Sequence, residues 1–191
     1  MIIPQTFEDL AAYSFSFLGK DFGYSRSPSS QEFLVRYRRG NVWVDVVYDP
    51  HRSHELGVLV GREGDVSPAY GLDEVLRFCG CPEEEVRKID LVQTVDEEVL
   101  KGHLVKSANL LRVYGALILR GEAASFTGLH QWRARNAAEY TNKIILQQLE
   151  RSVEAAWECK NYCEVVRLLA PNRNKLDRKL LRRLSFAESK Q

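Results

Sequence analysis

The sequence predicts an α+β protein, and three observations point that way. Between residues 33 and 61 apolar and polar side chains alternate at period two, and from Gly71 onwards the period changes to about 3.6. The 191 residues, 45% of them hydrophobic and 28% charged, suffice for one ordinary domain with a real core. The expected architecture is an N-terminal helix plus a three-stranded antiparallel meander over residues 1–65. A mainly helical portion over 66–191, with two long helices and short terminal ones, should pack on it as one compact unit.

Thr6 starts the first helix as its cap, with Asp9 three residues on as acidic partner. Phe7, Leu10, Ala11, Ser14 and Phe17 or Leu18 form its stripe, and Gly19 closes it near residue 18. Lys20 to Ser30 has the glycine, serine and proline content of a loop, with Phe22 and Tyr24 as its anchors on the core.

A β-hairpin follows. Phe33, Val35 and Tyr37 alternate with Leu34, Arg36 and Arg38, and after Gly40-Asn41 the chain resumes with Val42, Val44, Val46 and Tyr48. Placing Gly40-Asn41 in a two-residue turn of type II′ or I′ pairs Val35 with Val46 and Tyr37 with Val44 on one face. On the other face Arg36 meets Asp45 and Arg38 meets Trp43, an ion pair and a cation–π contact. A turn at Arg39-Gly40 is the alternative, and it places Leu34 against Asp45. The third strand runs from Glu55 to Gly61 with Leu56, Val58 and Val60 inward.

Leu72, Val75, Leu76 and Cys79 suit a short helix that stops at Gly80 and Pro82. From Asp96 to Leu119 the stripe Leu100, Leu104, Ala108, Leu111, Gly115 and Ile118 marks a long helix. A second face of Val105, Leu110, Val113 and Leu117 predicts burial on more than one side. Gly121 ends it. Glu122 to Glu158 reads as another long helix or two collinear ones, with Phe126, Leu129, Ala137, Tyr140, Ile144, Leu149, Val153 and Ala156 inside and a bend near Gln147. Asn161 caps a helix containing Val165, Val166, Leu168 and Leu169, Pro171 ends it, and Leu176 to Ala187 closes the chain with Leu180, Leu181, Leu184 and Ala187 inside. This rhythm is similar to one helix-turn-helix unit of the tetratricopeptide type. A single unit is no array, so it reads as a cap on the long helices.

Twenty-seven Lys and Arg against 26 Asp and Glu leave a net charge of +1, which argues against a uniformly basic nucleic-acid or membrane-surface protein. The charge is segregated, however. Asp73, Glu74, Glu83, Glu84, Glu85, Asp90, Asp96, Glu97 and Glu98 face only three bases between residues 73 and 98. Arg173, Lys175, Arg178, Lys179, Arg182 and Arg183 face only Asp177. Either run is a solvated helix face, with acids at starts and bases at ends, or a docking surface. The N-terminal residues carry no basic leader, and Arg112 and Arg120 break the longest apolar runs, so the expectation is a cytoplasmic protein with no membrane partner.

Chemical motifs are sparse. His51, His54 and Glu55, with Asp49 nearby, gather two histidines and two carboxylates, but not at the spacing of helical zinc hydrolases, and a polar loop is the favoured reading. Asp49 with Glu55 lacks the lysine of a nuclease carboxylate pair. Cys79, Cys81, Cys159 and Cys163 lack the two-residue spacing of a zinc knuckle and read as small buried apolar residues. Gly57, Gly61 and Gly64 form no phosphate-binding loop, and His103 and His130 have no nucleophile motif beside them.

The runs from Glu32 to Tyr37, Val42 to Pro50 and Glu55 to Val58, with Ala156, Tyr162, Val165-Val166, Leu168-Leu169, Pro171 and Leu176, carry a resemblance over residues 7–61 and 145–189. The chain resembles a diffuse group of small bacterial proteins taken to be immunity proteins of polymorphic or contact-dependent toxins. The resemblance implies a non-enzymatic protein that neutralises a cognate toxin domain by occlusion, with no catalytic residues, cofactor or metal. Glu83, Glu84, Glu85, Asp96, Glu97 and Glu98 are the candidate partner-binding residues for a cationic toxin. Two alternatives stand beside it: a nucleic-acid-associated protein using Arg178, Lys179, Arg182 and Arg183, and a metal-dependent hydrolase at His51, His54 and Glu55. Oligomeric state is left open.

Overall fold

The structure is a computed structural model that describes residues 6–28, 33–65, 69–89 and 93–190. Glu32 and Asp90, which figured in the sequence patterns above, lie outside the described residues. The fold is α+β, as expected. It divides into two compact units, Met1–Arg133 and Ala134–Gln191.

In the first unit, α1 (Phe7–Ser14) and α2 (Phe17–Phe22) precede a five-stranded sheet of β1 (Ser25–Ser27), β2 (Leu34–Arg39), β3 (Val42–Tyr48), β4 (Leu56–Arg62) and β5 (Tyr70–Gly71). The strands lie in sequence order and every neighbouring pair is antiparallel. The expected three-stranded meander is its centre; β1 and β5 extend it on either side. Both are too short for alternation to show in sequence, and short edge strands blunt pairing with another chain.

The predicted hairpin register holds: Val35 pairs with Val46, Arg36 with Asp45, Tyr37 with Val44 and Arg38 with Trp43. Gly40 has φ 58° while Asn41 stays at negative φ, which makes the turn type II′. Val35, Tyr37, Val42, Val44, Val46, Val58, Val60 and Tyr70 line the inner face and are buried in the main core.

One correction concerns the first helix. The capping box forms, with the Asp9 amide donating to Thr6 Oγ1 at 3.2 Å, but the helix breaks after Ser14 instead of running to residue 18. Phe15, Phe17 and Leu18 are all buried, and three such neighbours cannot share one helical stripe. The break reorients the chain so that each reaches the core. Gly19 lies inside α2, and Gly23, at φ 71°, ends it.

Helices α3 (Leu72–Phe78), α4 (Glu83–Arg87), α5 (Glu97–Tyr114) and α6 (Ala116–Leu119) follow the sheet. The single helix expected over 96–119 is interrupted at Gly115, where a Cβ would lie 2.6 Å from the Leu111 carbonyl oxygen. Leu100, Leu104, Ala108, Leu111 and Ile118 are buried as predicted. Of the second face only Leu110 packs against the core; Val105, Val113 and Leu117 are exposed, Val113 at 69%. Those residues follow helical period without packing against anything in the main core.

Helix α7 (Ala123–Glu158) runs as one helix of 36 residues. Phe126 and Leu129 are buried in the first unit and Val153 and Ala156 in the second, while Ala137 and Tyr140 between them are exposed. Its apolar stripe therefore serves two cores and is bare in the middle. The boundary accordingly falls at Arg133/Ala134 and not at 65/66, because α3, α5, α6 and the start of α7 share one core with the sheet. Arg133 fixes that start: its Nε donates to Glu74 Oε1 at 2.7 Å, and its guanidinium lies 4.0 Å from the Tyr70 ring centroid.

In the second unit, α8 (Tyr162–Leu169), a 3₁₀ turn (Ala170–Lys175) and α9 (Arg178–Glu188) enclose Val153, Ala156, Val165, Leu169, Leu180, Leu184 and Ala187. Asn161 caps α8 as expected, accepting from the Glu164 amide at 3.2 Å. The terminal helices thus pack on the C-terminal part of α7, one of the two long helices, and share with it a core separate from the main one. Leu181, expected inside, is 36% exposed.

Tyr24 gives a pH test of the first core. Its hydroxyl donates to the Leu119 carbonyl at 2.9 Å, and burial pushes its pKa up to about 12. The unfolded chain ionises near pH 10 and the folded one two units later, so stability is intact below pH 10 and is lost as pH rises towards 12. The loss expected from this group, read by chemical denaturation, is about 2–3 kcal/mol, and Tyr24→Phe abolishes that component.

Candidate functional site

Four places in the molecule gather chemistry: the outer face of the sheet, a cleft at its β4 edge, the acidic segment around α4 and α5, and the basic helix α9.

Because side chains alternate along a strand, burying Val35, Tyr37, Val44 and Val46 inward turns Leu34, Arg36, Trp43, Asp45 and Val47 outward. With Leu59 they occupy the outer face. None of Leu34, Trp43, Val47 and Leu59 belongs to the core or to the side chains packed against it, and each is half-buried. The helices that contact the strands hold the inner, buried side. Gly61 makes room for Trp43: a Cβ there would stand 2.2 Å from the indole Cζ2, so the ring lies on bare backbone.

Arg36 locks this face together. Its Nε and Nη2 donate to Asp45 Oδ1 at 2.6 Å and Oδ2 at 2.5 Å, and its guanidinium sits 5.3 Å from the centroid of Trp43. The hydrogen bond to Asp45 raises the Arg36 pKa. Asp45 is buried, and the bidentate geometry answers both its oxygens. The expected contact of Trp43 with Arg38 is made by Arg36 instead, and Arg38 pairs with Glu63.

The cleft has a volume of about 440 Å³, and its walls include Asp49, Ser53, Glu55, Gly57, His103 and Ser107. Of the three candidate hydrolase residues only Glu55 reaches it, and its carboxylate accepts from Gln93 Nε2 at 2.8 Å. His51 stacks edge-on to Phe33 with centroids 5.9 Å apart. His54 sits at φ 54° with a buried Nδ1. Asp49 accepts the amides of His51, Arg52 and Ser53 at 3.1–3.3 Å, bonds that hold its carboxyl below the usual range. It shapes the turn. Among the described residues no three His, Cys, Asp or Glu side chains converge on a common point for a metal.

All four thiols are free. Cys81 is buried and Cys79 half-buried, and desolvation raises both pKa values; Cys159 and Cys163 are exposed, against expectation. Those two sit where α7 ends and α8 begins, outside the set of residues that form or pack against the second core. Burial of His103 lowers its pKa, and His130 is exposed on α7.

The acidic segment is largely answered from within. Asp73 pairs with Arg77, Glu74 with Arg133, Glu83 with Arg77 and Arg87, and Glu85 with Lys88. Asp96 caps α5, accepting the amides of Glu98 and Val99 at 2.9 and 3.1 Å. Glu84, Glu97 and Glu98 make no ion pair among the described residues. The acids of α3, α4 and α5 also stand in first turns, where the helix dipole favours them.

The basic helix differs. Arg178 and Lys179 occupy the first turn of α9, the end where the dipole disfavours cations, with Asp177 as cap. Arg183 is spent on Glu154 at 2.6 Å and over Trp157 at 5.2 Å. Arg178 and Arg182 are exposed and make no ion pair among the described residues. Bases at a helix start are not explained by the dipole.

No protein-family model, curated protein or solved structure matches this chain.

Proposed function

We propose that this is a non-enzymatic binding protein of immunity type, which neutralises a cognate bacterial toxin domain by covering it with the outer face of its sheet. The observation that carries the proposal is the placement of Trp43: half-buried, flat on Gly61 and braced by the Arg36–Asp45 pair, with Leu59 diagonal to it and the Leu34–Val47 pair beyond Asp45 on the same face.

Tryptophan and arginine dominate the energetics of protein interfaces, and a ring of less critical contacts around them serves to exclude water. Here both anchors are held in place before any partner arrives. Arg36 is fixed by two hydrogen bonds, so docking on it costs little further side-chain entropy. Arg38 and Glu63 supply a polar rim. Glu84, Glu97 and Glu98 add a negative field that would speed encounter with a cationic toxin, acting on rate more than on affinity.

Occlusion asks nothing of the binder but shape and affinity. The test is co-expression with the toxin domain encoded beside it. A stable purified complex and protection of the cells are expected; neither complex nor protection would sink the proposal. A concentration-dependent dimer of this chain that Trp43→Ala abolishes would assign the face to self-association instead.

A further inference from the structure

We infer that the second unit binds single-stranded polynucleotide along α9, independently of the sheet face of the first unit. Arg178, Arg182, Phe186 and Lys190 recur every fourth residue and are all exposed, Phe186 at 43%. On a helix that spacing sets them one above another, about 6 Å apart. Lys190 lies just past the end of α9, and its Nζ still reaches 5.4 Å from the Phe186 ring centroid.

Three features separate this stripe from an ordinary solvated face. The acids that could neutralise it are engaged: Asp177 caps the helix and Glu188 pairs with Arg173 at 2.6 Å. Two of the helix's cations, Arg178 and Lys179, stand at the dipole's unfavourable end, and of these Arg178 makes no ion pair among the described residues. The aromatic within the stripe is braced from behind, Phe186 packing on Trp157 and Tyr162 at centroid distances of 5.4 and 5.6 Å. A fixed exposed ring between cations is what a single strand needs: a platform for one base and positive charge for the phosphates on either side. An acidic peptide would use the cations and leave the ring idle.

The test is titration of the full chain with a fluorescent twelve-nucleotide oligothymidylate at 50 and 200 mM salt. With three cations engaged, log K should fall against log salt with a slope of about −2. Arg178→Gln with Arg182→Gln should reduce that slope to about −0.7. Phe186→Leu, which keeps an apolar side chain on the cluster, should weaken binding at least about fivefold and leave the slope unchanged. Circular dichroism confirms that each variant is folded. The inference is overturned by no binding at 50 mM salt, by polyglutamate of equal charge competing as well as the oligonucleotide, or by binding confined to phosphatidylserine vesicles. No toxin enters this experiment, so its failure leaves the sheet-face proposal standing.

Discussion

Trp43→Ala should weaken association with the cognate toxin domain by at least about 30-fold, a loss of about 2 kcal/mol, while the variant stays folded. Trp43 sits outside the main core, so its removal strips the centre of the outer face without opening a cavity inside. The two effects are separable by measuring affinity and thermal unfolding on the same preparation. Leu34→Glu provides an independent check, because it places a charge on the same face, one residue pair beyond Arg36 and Asp45, at a half-buried position outside the main core. It should weaken binding similarly with little change in stability. Glu97→Gln with Glu98→Gln should behave differently, slowing association and flattening its salt dependence with a smaller effect on dissociation. If the acidic pair proved decisive and Trp43 did not, the toxin would bind at the helix and not at the sheet.

Leu111→Ala should lower the free energy of unfolding by about 3 kcal/mol, the range for a buried leucine whose surroundings cannot collapse. Leu111 is fully buried, and both its side chain and its carbonyl crowd Gly115 at the break between α5 and α6. Val113→Ala, two residues on, should change stability by no more than about 0.5 kcal/mol, because Val113 is 69% exposed. The pair tests which side of α5 faces the core. Equal losses would mean that the helix is buried on both sides, as its sequence pattern implies.

That pattern shows where sequence reading succeeds and where it stops. The hairpin was legible to the residue because its two faces differ in kind: a one-residue slip would bury Arg36 and expose Val35. The caps Thr6 and Asn161 were legible because capping chemistry is local. Apolar periodicity, in contrast, reports which residues share a helix face and not whether anything covers it. Val105 and Val113 on α5, Leu117 on α6 and Tyr140 on α7 obey the period and are exposed. The break after Ser14 and the strands β1 and β5 depend on tertiary packing and on pairing with distant residues, which no short window contains.

The candidate site was half legible. Pairing Arg36 with Asp45 followed from register, and Trp43 was placed on the same face. Its importance was hidden because the sequence does not say that, among the described residues, the side chains of this face lie outside the main core. The acidic segment drew attention through composition alone, and folding answers most of it internally with Arg77, Arg87, Lys88 and Arg133. Among the described residues the basic segment leaves Arg178 and Arg182 without an ion pair, a difference that only side-chain placement reveals.

The central claim is that the outer sheet face is the docking surface, and hydroxyl-radical footprinting of the toxin complex tests it most directly. Trp43 is reactive and half-exposed in the free protein, so its oxidation rate should fall severalfold on complex formation, together with that of Leu34. An unchanged rate at Trp43, with protection confined to the segment between Glu83 and Glu98, would contradict it.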